Sequence, residues 1–545
     1  MAMESKAKVL LTTVCRPFTE AGGGVSVSAE LFHAQVTRAQ GVFSLRQFIR
    51  CWGLDYIAHN IEAPCVTLHY PSQRELKQEL QREDWDYVGI NFVVATYHKM
   101  KETSRLIRTL NPRAKIILGG YGTVLDDEIL LDYCDFICRE EGTVYMRRLL
   151  DESLDKPIRH PYVPIPSPKV FSLPLPSKVA HVTGGLGCPN GCDFCCTSHF
   201  FKRRYVPFIA TGEQLHETLC QMEERAKEEG DELSGFIIID EDFFIHESRA
   251  REYLECVRQA CHAPSLMGFG SVKGLSRFTA DEIAEMGFHT LWTAYEGRQS
   301  GYAKLQGRSI KALHKELRER GIALLTSMII GFDYQDREKV LSEFQELLTL
   351  RPTFSQFLIY FAFPGTPLHE RMVKENKFLP PYRENPDWRK FDGFSSQLVH
   401  PNFTPKDLEV LQRELYSREF EELGPSMIRI NRVFLQGYKR LVGSDNPLLR
   451  ERAIRQRKYV EKSKPGLYPA IYLGPSKKAR REARELLEEI ELEFGPLSSM
   501  ERIYGWIALF LALWTALRLR LGLDSEPTLI KTEYLQSFEG KEKTA

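Results

Sequence analysis

The stretch GCPNGCDFCC, residues 187–196, decides how the chain is read. Cys188, Cys192 and Cys195 stand there in C-x3-C-x2-C spacing on one short, glycine-containing loop. Three soft thiolates so placed suit an iron–sulfur cluster, whose irons are ordinarily satisfied by four cysteines. With three, one iron keeps an open position. The preceding VAHVTGG, residues 179–185, reads as a strand running into this loop. A Cys3His zinc site competes, because His199 follows Cys195 at C-x3-H spacing, although structural zinc sites usually draw on two separated pairs. Cys196 reads as a packing residue.

Outward from the loop, the spacing and the aromatic Phe194 just before the last cysteine resemble the radical S-adenosylmethionine enzymes. The resemblance implies a 4Fe-4S cluster on Cys188, Cys192 and Cys195, and S-adenosylmethionine chelated at the open iron and split to a 5'-deoxyadenosyl radical. After a proline-rich connector, residues 151–178, six strand signals reach to about residue 375: VAHVT, GFIIID, LMGFGSV, TLWTAY, ALLTSMIIGF and QFLIYFAF. Six strand–helix units match that family's partial barrel, a full eight-stranded one needing more chain. Within them the acidic cluster Asp240-Glu241-Asp242 resembles the segment near the cofactor's methionyl part, which makes Asp240 a candidate contact. Glu296 in TAYEG takes the place of the family's cofactor-binding glutamate. In SMIIGF, Ile329 and Gly331 match the apolar residue and glycine that pack on adenine. FAFPGTPLHE, starting at Phe361, resembles the turn that closes the core, with Pro364 and Pro367 fixing dihedral angles and Gly365 supplying the permissive one.

Upstream, residues 1–150 alternate strand and helix: KVLLTTV, VTLHY, YVGINFV, AKIILGG and DFICR. That pattern predicts a parallel sheet with helices on both faces, binding its ligand at the strands' carboxyl ends. There stand Gly22-Gly23-Gly24, Ala95-Thr96 and Gly119-Gly120, small residues that let a bulky group approach the backbone. A flavodoxin-like domain in this position resembles the cobalamin-binding domain of the cobalamin-dependent branch. The resemblance implies cobalamin beside Thr96, Gly119 and Gly120, and matches Glu141-Gly142 to that branch's R-G-E-G-E segment. The loop CRPFTEAGGG lacks a D-x-H-x-x-G motif, and His33 reads as a helix-face residue, so the resemblance implies no histidine below the cobalt. The family likeness runs from about Lys8 to Glu370.

Composition bounds the rest. At 545 residues, a prior of about 150 residues per domain suggests three or four units. Lysine plus arginine equals aspartate plus glutamate at 73 each, which gives no support for a nucleic-acid partner. Twelve cysteines read as ligands and buried thiols, and the short apolar run Val9 to Val14 as a strand rather than a signal segment, in a cytoplasmic protein. Residues 376–545 read as mainly helical, with Thr404 capping a helix that starts at Pro405. Trp388, Tyr416, Phe420 and Tyr438 could line a substrate pocket or pack a core. Lys477, Lys478, Arg480 and Arg481 open a helix whose dipole they oppose. The uncharged run 503–517, extendable to 523, is short for a span of about 20 residues. Arg518 and Arg520 behind it would lie on the wrong side for one, so peripheral membrane contact through 503–523 is expected over a full crossing, against a helix docked on the protein itself.

The function so implied is cobalamin-dependent radical methyl transfer to an unactivated carbon of a small molecule, a lipid or isoprenoid being suggested by the apolar run. An external electron donor such as flavodoxin or ferredoxin would feed the cluster. The alternatives are radical cyclisation, ring rearrangement or oxidation without methyl transfer, and a zinc-stapled binding protein.

Overall fold

The computed structural model describes residues 7–17, 35–174, 178–523, 527–534 and 543–544. Gly22-Gly23-Gly24 and His33 lie outside them. In the N-terminal unit, Val9–Thr13 (β1), Cys65–His69 (β2), Tyr87–Asn91 (β3), Lys115–Gly119 (β4) and Phe136–Ile137 (β5) pair in parallel, in the order β2-β1-β3-β4-β5. β1 and β2 are buried at every residue, as a parallel strand covered on both faces requires. The helix Gln73–Arg82 begins on a Ser72–Glu75 capping box and turns Leu76 and Leu80 into the core.

The second unit strings Lys178–Thr183 (β6), Leu233–Ile239 (β7), Leu266–Phe269 (β8), Phe288–Glu296 (β9), Ala323–Ile330 (β10) and Phe354–Ile359 (β11) in parallel and in chain order. Among the described residues β6 and β11 do not pair, so the barrel stays open. Its outer edge is Pro164–Ile165, antiparallel to β6. The parallel direction brings all six carboxyl ends to one rim, where this architecture binds its ligands. The α/β class and the six-stranded partial barrel are therefore as expected.

Two features tie the units together. The segment after β11 folds back onto the first sheet: Leu368, Met372, Phe378 and Phe391 share one apolar core with Ile90, Phe92 and Leu118. The chain's far end also returns. After the helices Pro405–Leu423, Ser426–Leu441, Pro447–Ser463, Lys477–Phe494 and Ser499–Arg520, the strand Ile530–Tyr534 (β12) joins the first sheet antiparallel to β2. Residues 376–545 are thus mainly helical, but they complete the N-terminal sheet as well.

A buried charge network pins β12 there. Asp55 accepts from Arg50 Nη2 (2.6 Å) and Nε (2.8 Å), from the Thr67 hydroxyl (3.0 Å) and from the Tyr534 hydroxyl (3.0 Å). Arg50 also donates to Thr532 Oγ1 at 2.8 Å.

Candidate functional site

β6 delivers the cysteine loop to the barrel rim. A turn closes it, with Cys195 N–H bonded to Cys192 O at 3.0 Å, and the Ser198 hydroxyl donates to Cys188 O at 2.6 Å while accepting from Gly191 N–H at 3.0 Å. Asp193 carries outside contacts, accepting from the Tyr302 hydroxyl at 2.8 Å and facing Arg371 at 3.2 Å. Burial pushes the Cys188 thiol up to about 12 and Cys195 to about 11, so a bound cation has to draw off their protons.

The donor set discriminates between the two metal readings. Among the described residues no three His, Cys, Asp or Glu side chains draw together as the donor set of a single ion. A zinc site needs that convergence; cysteines of a cluster each bind a different iron. His199 Nε2 is engaged with Cys192 O at 3.1 Å. Three thiolates on one loop, with the His199 ring held against Cys192 O, fit a cluster that keeps one iron open.

The three acids after β7 divide their work. Asp240 is consumed by Arg249 Nη2 (2.5 Å) and the Tyr205 hydroxyl (2.6 Å). Asp242 accepts from Asn190 Nδ2 in the cysteine loop (3.1 Å) and from Ser271 N–H (3.1 Å), anchoring that loop. Glu241, between them, keeps an exposed side chain within the site. Desolvation and the charge of Asp240 raise its carboxyl to about 7, against a hydrogen bond from Thr197. The sequence reading chose Asp240; the open carboxylate is its neighbour's, because the turn after the strand sends alternate side chains to opposite sides.

Glu296 ends β9 with φ of +56°, a left-handed backbone that a non-glycine residue holds only where its surroundings enforce it. Only 3 % exposed, it is ion-paired with Lys304, whose ammonium also stands 5.4 Å from the Phe194 ring centroid. Burial alone would lower the Lys304 ammonium, but Glu296, Cys192 and Cys195 hold it above its ordinary value. Phe194 meets Tyr302 edge-on at 5.1 Å, and Phe332 packs on Tyr360 at 4.6 Å and stacks on Tyr334 at 5.7 Å, so one wall of the rim is aromatic. Ile329 is buried in β10. Gly331 has φ of +92°, its N–H held by Gln335 Oε1 at 2.7 Å. Phe361 packs against the apolar core of the first sheet, as the rim aromatics Phe194 and Tyr360 do.

At the end of β4, Gly120 adopts φ of +86°, and a Cβ there would stand 2.7 Å from Phe92 O. A Cβ on Gly119 would meet nothing within 4 Å, so this glycine looks onto free space that a bulky group can enter. Two other candidates are spent on the backbone: the Thr96 hydroxyl closes its own turn with Val93 (3.0 and 3.1 Å), and Glu141 caps the helix Gly142–Leu149, accepting from Thr143 N–H (2.7 Å) and Val144 N–H (2.8 Å).

Tyr121, next after the glycine pair, joins the halves. Its ring meets Phe200 of the cysteine-loop helix edge-on at 5.2 Å, its hydroxyl bonds to Thr197, and burial first, then Glu241, raises that hydroxyl well above its ordinary value. Tyr121, Glu241, Lys304 and Tyr302 were not among the sequence candidates. Glu241 stood inside a quoted cluster, whereas Tyr121 and Lys304 carry no local signal. Trp388, Tyr416, Phe420 and Tyr438 do not converge; each packs into a different core, Tyr416 between Phe357 (4.9 Å) and Phe394 (6.5 Å).

Comparison with known proteins agrees with this geometry. A B12 binding domain is matched over residues 36–150. An uncharacterized methyltransferase of Pyrococcus horikoshii is 22% identical over 379 residues, 63% of this chain and 80% of that protein. A bacteriochlorophyllide d C-12(1)-methyltransferase of Chlorobaculum tepidum is 24% identical over 364 residues, 61% and 76%. In fold the chain is similar to the radical S-adenosylmethionine methyltransferase TsrM from Kitasatospora setae, solved with tryptophan substrate and an S-adenosylmethionine analogue (TM-score 0.54, 15% identity, 84% of this chain and all of that one). It is also similar to the cobalamin-dependent S-adenosylmethionine radical enzyme OxsB (TM-score 0.50, 13% identity, 96% and 81%).

Proposed function

We propose that this chain, a cobalamin-dependent radical S-adenosylmethionine enzyme by its B12-binding domain and its fold, methylates an unactivated carbon of a small apolar molecule of lipid or isoprenoid type. The observation that carries the reading is Tyr121: the loop that would receive cobalamin and the loop that would hold the cluster share one wall. When bound, the cluster with S-adenosylmethionine supplies one-electron bond cleavage, and cobalamin supplies a methyl carrier.

The chain's own residues then have definite tasks. Cys188, Cys192 and Cys195 hold the cluster. Glu296, fixed in its strained conformation and neutralised by Lys304, orients whatever ammonium or hydroxyl groups replace that lysine. Glu241 offers the one carboxylate of its triplet that stays exposed, with Thr197 as a hydrogen-bond partner. The aromatic wall excludes water from the space between the loops, which protects a reactive intermediate. Gly119 leaves room for the second cofactor. The one-electron cleavage needs an external donor such as flavodoxin or ferredoxin, which fits a reducing, cytoplasmic setting.

The test is anaerobic reconstitution with iron and sulfide, addition of cobalamin, and incubation of methyl-labelled S-adenosylmethionine with a lipid extract of the source cells and a reductant. Label in an organic product, lost in Cys195→Ala, is expected. Cluster-dependent cleavage of S-adenosylmethionine with no label in any product would instead establish radical rearrangement without methyl transfer.

A further inference from the structure

The helix Ser499–Arg520 is docked by small residues and left apolar outside. Gly505, Ala512 and Thr515 face the protein, and a Cβ on Gly505 would come within 2.8 Å of the Tyr468 ring. The opposite face carries Ile503, Ile507, Phe510, Trp514, Leu517 and Leu521, spaced by three and four residues into a continuous stripe, with exposures of 47–67%. Only 17% of the helix's apolar window is buried. A soluble chain rarely leaves such a stripe to water. This settles one sequence-level alternative: the helix does rest on the protein, but with its narrow, small-residue side.

A second observation says what the stripe meets. At the helix's C-terminal end a small pocket is lined by Thr515, Arg518, Leu519 and Leu523 from the helix, Lys169 and Ser172 from a hairpin, and Arg46. The hairpin Lys169–Val170/Leu173–Pro174 turns through Phe171 (φ +50°) and Ser172 (φ +64°), two consecutive non-glycine residues in the left-handed region. That turn sets the Ser172 hydroxyl 3.0 Å from the Thr515 hydroxyl. Lys169 is paired with Arg46 through both backbone bonds, 3.0 and 2.8 Å, which brings their side chains to the same mouth. Burial first and the Arg518 charge second hold the Arg46 guanidinium down, to about 10. Among the described residues neither Lys169 nor Arg518 has a carboxylate within ion-pair distance. The basic start of the neighbouring helix Lys477–Phe494 differs: there Lys478 pairs with Glu422 and Arg481 with Glu485.

Lys169 and Arg518, with the Ser172 and Thr515 hydroxyls, stand around one small opening that suits a phosphate group, and it opens at the end of an exposed apolar stripe. We infer that this surface docks on an anionic phospholipid bilayer, with a lipid phosphate at Lys169 and Arg518 and the Ile503–Leu521 stripe lying among the acyl chains. Charge complementarity selects a membrane over an apolar protein helix, which would offer no anion to Lys169 and Arg518. The helix lies in the interface rather than crossing it, since its small-residue side stays attached to the protein. The inference does not depend on the methyl-transfer reading.

Co-sedimentation of the full chain with vesicles tests it. Phosphatidylglycerol vesicles should retain the protein at least tenfold better than phosphatidylcholine vesicles, with the difference collapsing in high salt. Lys169→Glu combined with Arg518→Glu should remove the anionic preference. Phe510→Glu, at a 67% exposed position, should remove retention on both vesicle types, with an unchanged thermal melt in each variant. Inorganic phosphate at millimolar concentration should not release the wild type, because the stripe anchors it as well. Retention independent of vesicle charge, or a lipid-free dimer that Phe510→Glu converts to monomer, would overturn the inference.

Discussion

Two charge clusters in this molecule, one buried and one at the barrel rim, differ in completeness. Around Asp55 in the first unit, an arginine, a histidine, a threonine and a tyrosine surround one carboxylate: Arg50 and Tyr534 bond to it, Thr67 bonds to it, and His69 Nε2 lies 2.9 Å away. At the barrel rim, Glu241, Glu296 and Lys304 stand among thiols, but Glu241 retains open surface and Glu296 shares a single ammonium at a strained backbone position. A closed network spends its charge on holding strands together; an open one keeps charge available for something that is not protein. The same contrast separates Asp240 and Asp242, which are spent, from Glu241 between them.

Breaking the closed network should cost most. Asp55→Ala leaves the Arg50 guanidinium buried without its partner, and a loss of about 3–5 kcal/mol in unfolding free energy is expected, with β12 released from the sheet. Urea titration together with proteolysis after residue 523 measures both. The cluster's absorbance should be unaffected in the protein that remains folded. Equal loss from Asp55→Ala and Glu241→Gln would erase the distinction.

At the open site the effect moves from stability to activity. Glu241→Gln is expected to leave unfolding free energy within about 1 kcal/mol of wild type while turnover falls roughly 10- to 100-fold, the worth of one hydrogen bond involving a charged group. Parallel melting and product assays on one preparation separate the two quantities.

The glycine pair offers a finer version of the same contrast. Gly120→Ala forces a Cβ to within 2.7 Å of Phe92 O at a positive φ, with about 1–3 kcal/mol of destabilisation expected. Gly119→Ala meets no neighbour and should fold with unchanged stability, yet bind cobalamin more weakly, because its methyl group occupies the free space. Chemical denaturation and equilibrium dialysis of hydroxocobalamin report the pair.

The smallest effect is a pH slope. Burial alone would raise the Asp55 carboxyl, but His69 and Arg50 outweigh it and hold it below the usual carboxylate range. A depressed folded value means that the stabilisation is fully present above the unfolded value of about 4 and is lost as pH falls below it. Asp55→Asn should therefore flatten the acid limb of stability, by at most about 1.4 kcal/mol per pH unit. An unchanged limb would show that Asp55 is not ionised in the fold.

What could be read from residues follows the same division. The cysteine loop, six barrel strands and the five strands of the first sheet were legible because ligand spacing and apolar periodicity are local properties. Asp240 and Glu241 are adjacent, and one residue of turn geometry, which no local pattern encodes, decides which carboxylate Arg249 and Tyr205 hold and which stays exposed. Glu141 and Thr96 sit at the expected strand ends, but helix capping and turn closure use their oxygens. Tyr121, Lys304 and the return of β12 depend on contacts across 79, 8 and more than 450 residues of chain, for which a single sequence holds no signal.

The central claim is that the glycine loop of the first sheet and the cysteine loop of the barrel share one wall at Tyr121. Electron paramagnetic resonance of the protein carrying both a reduced cluster and cob(II)alamin tests it most directly. The account predicts a magnetic interaction that broadens both signals relative to samples carrying one centre alone. Two unperturbed spectra that simply add would contradict it.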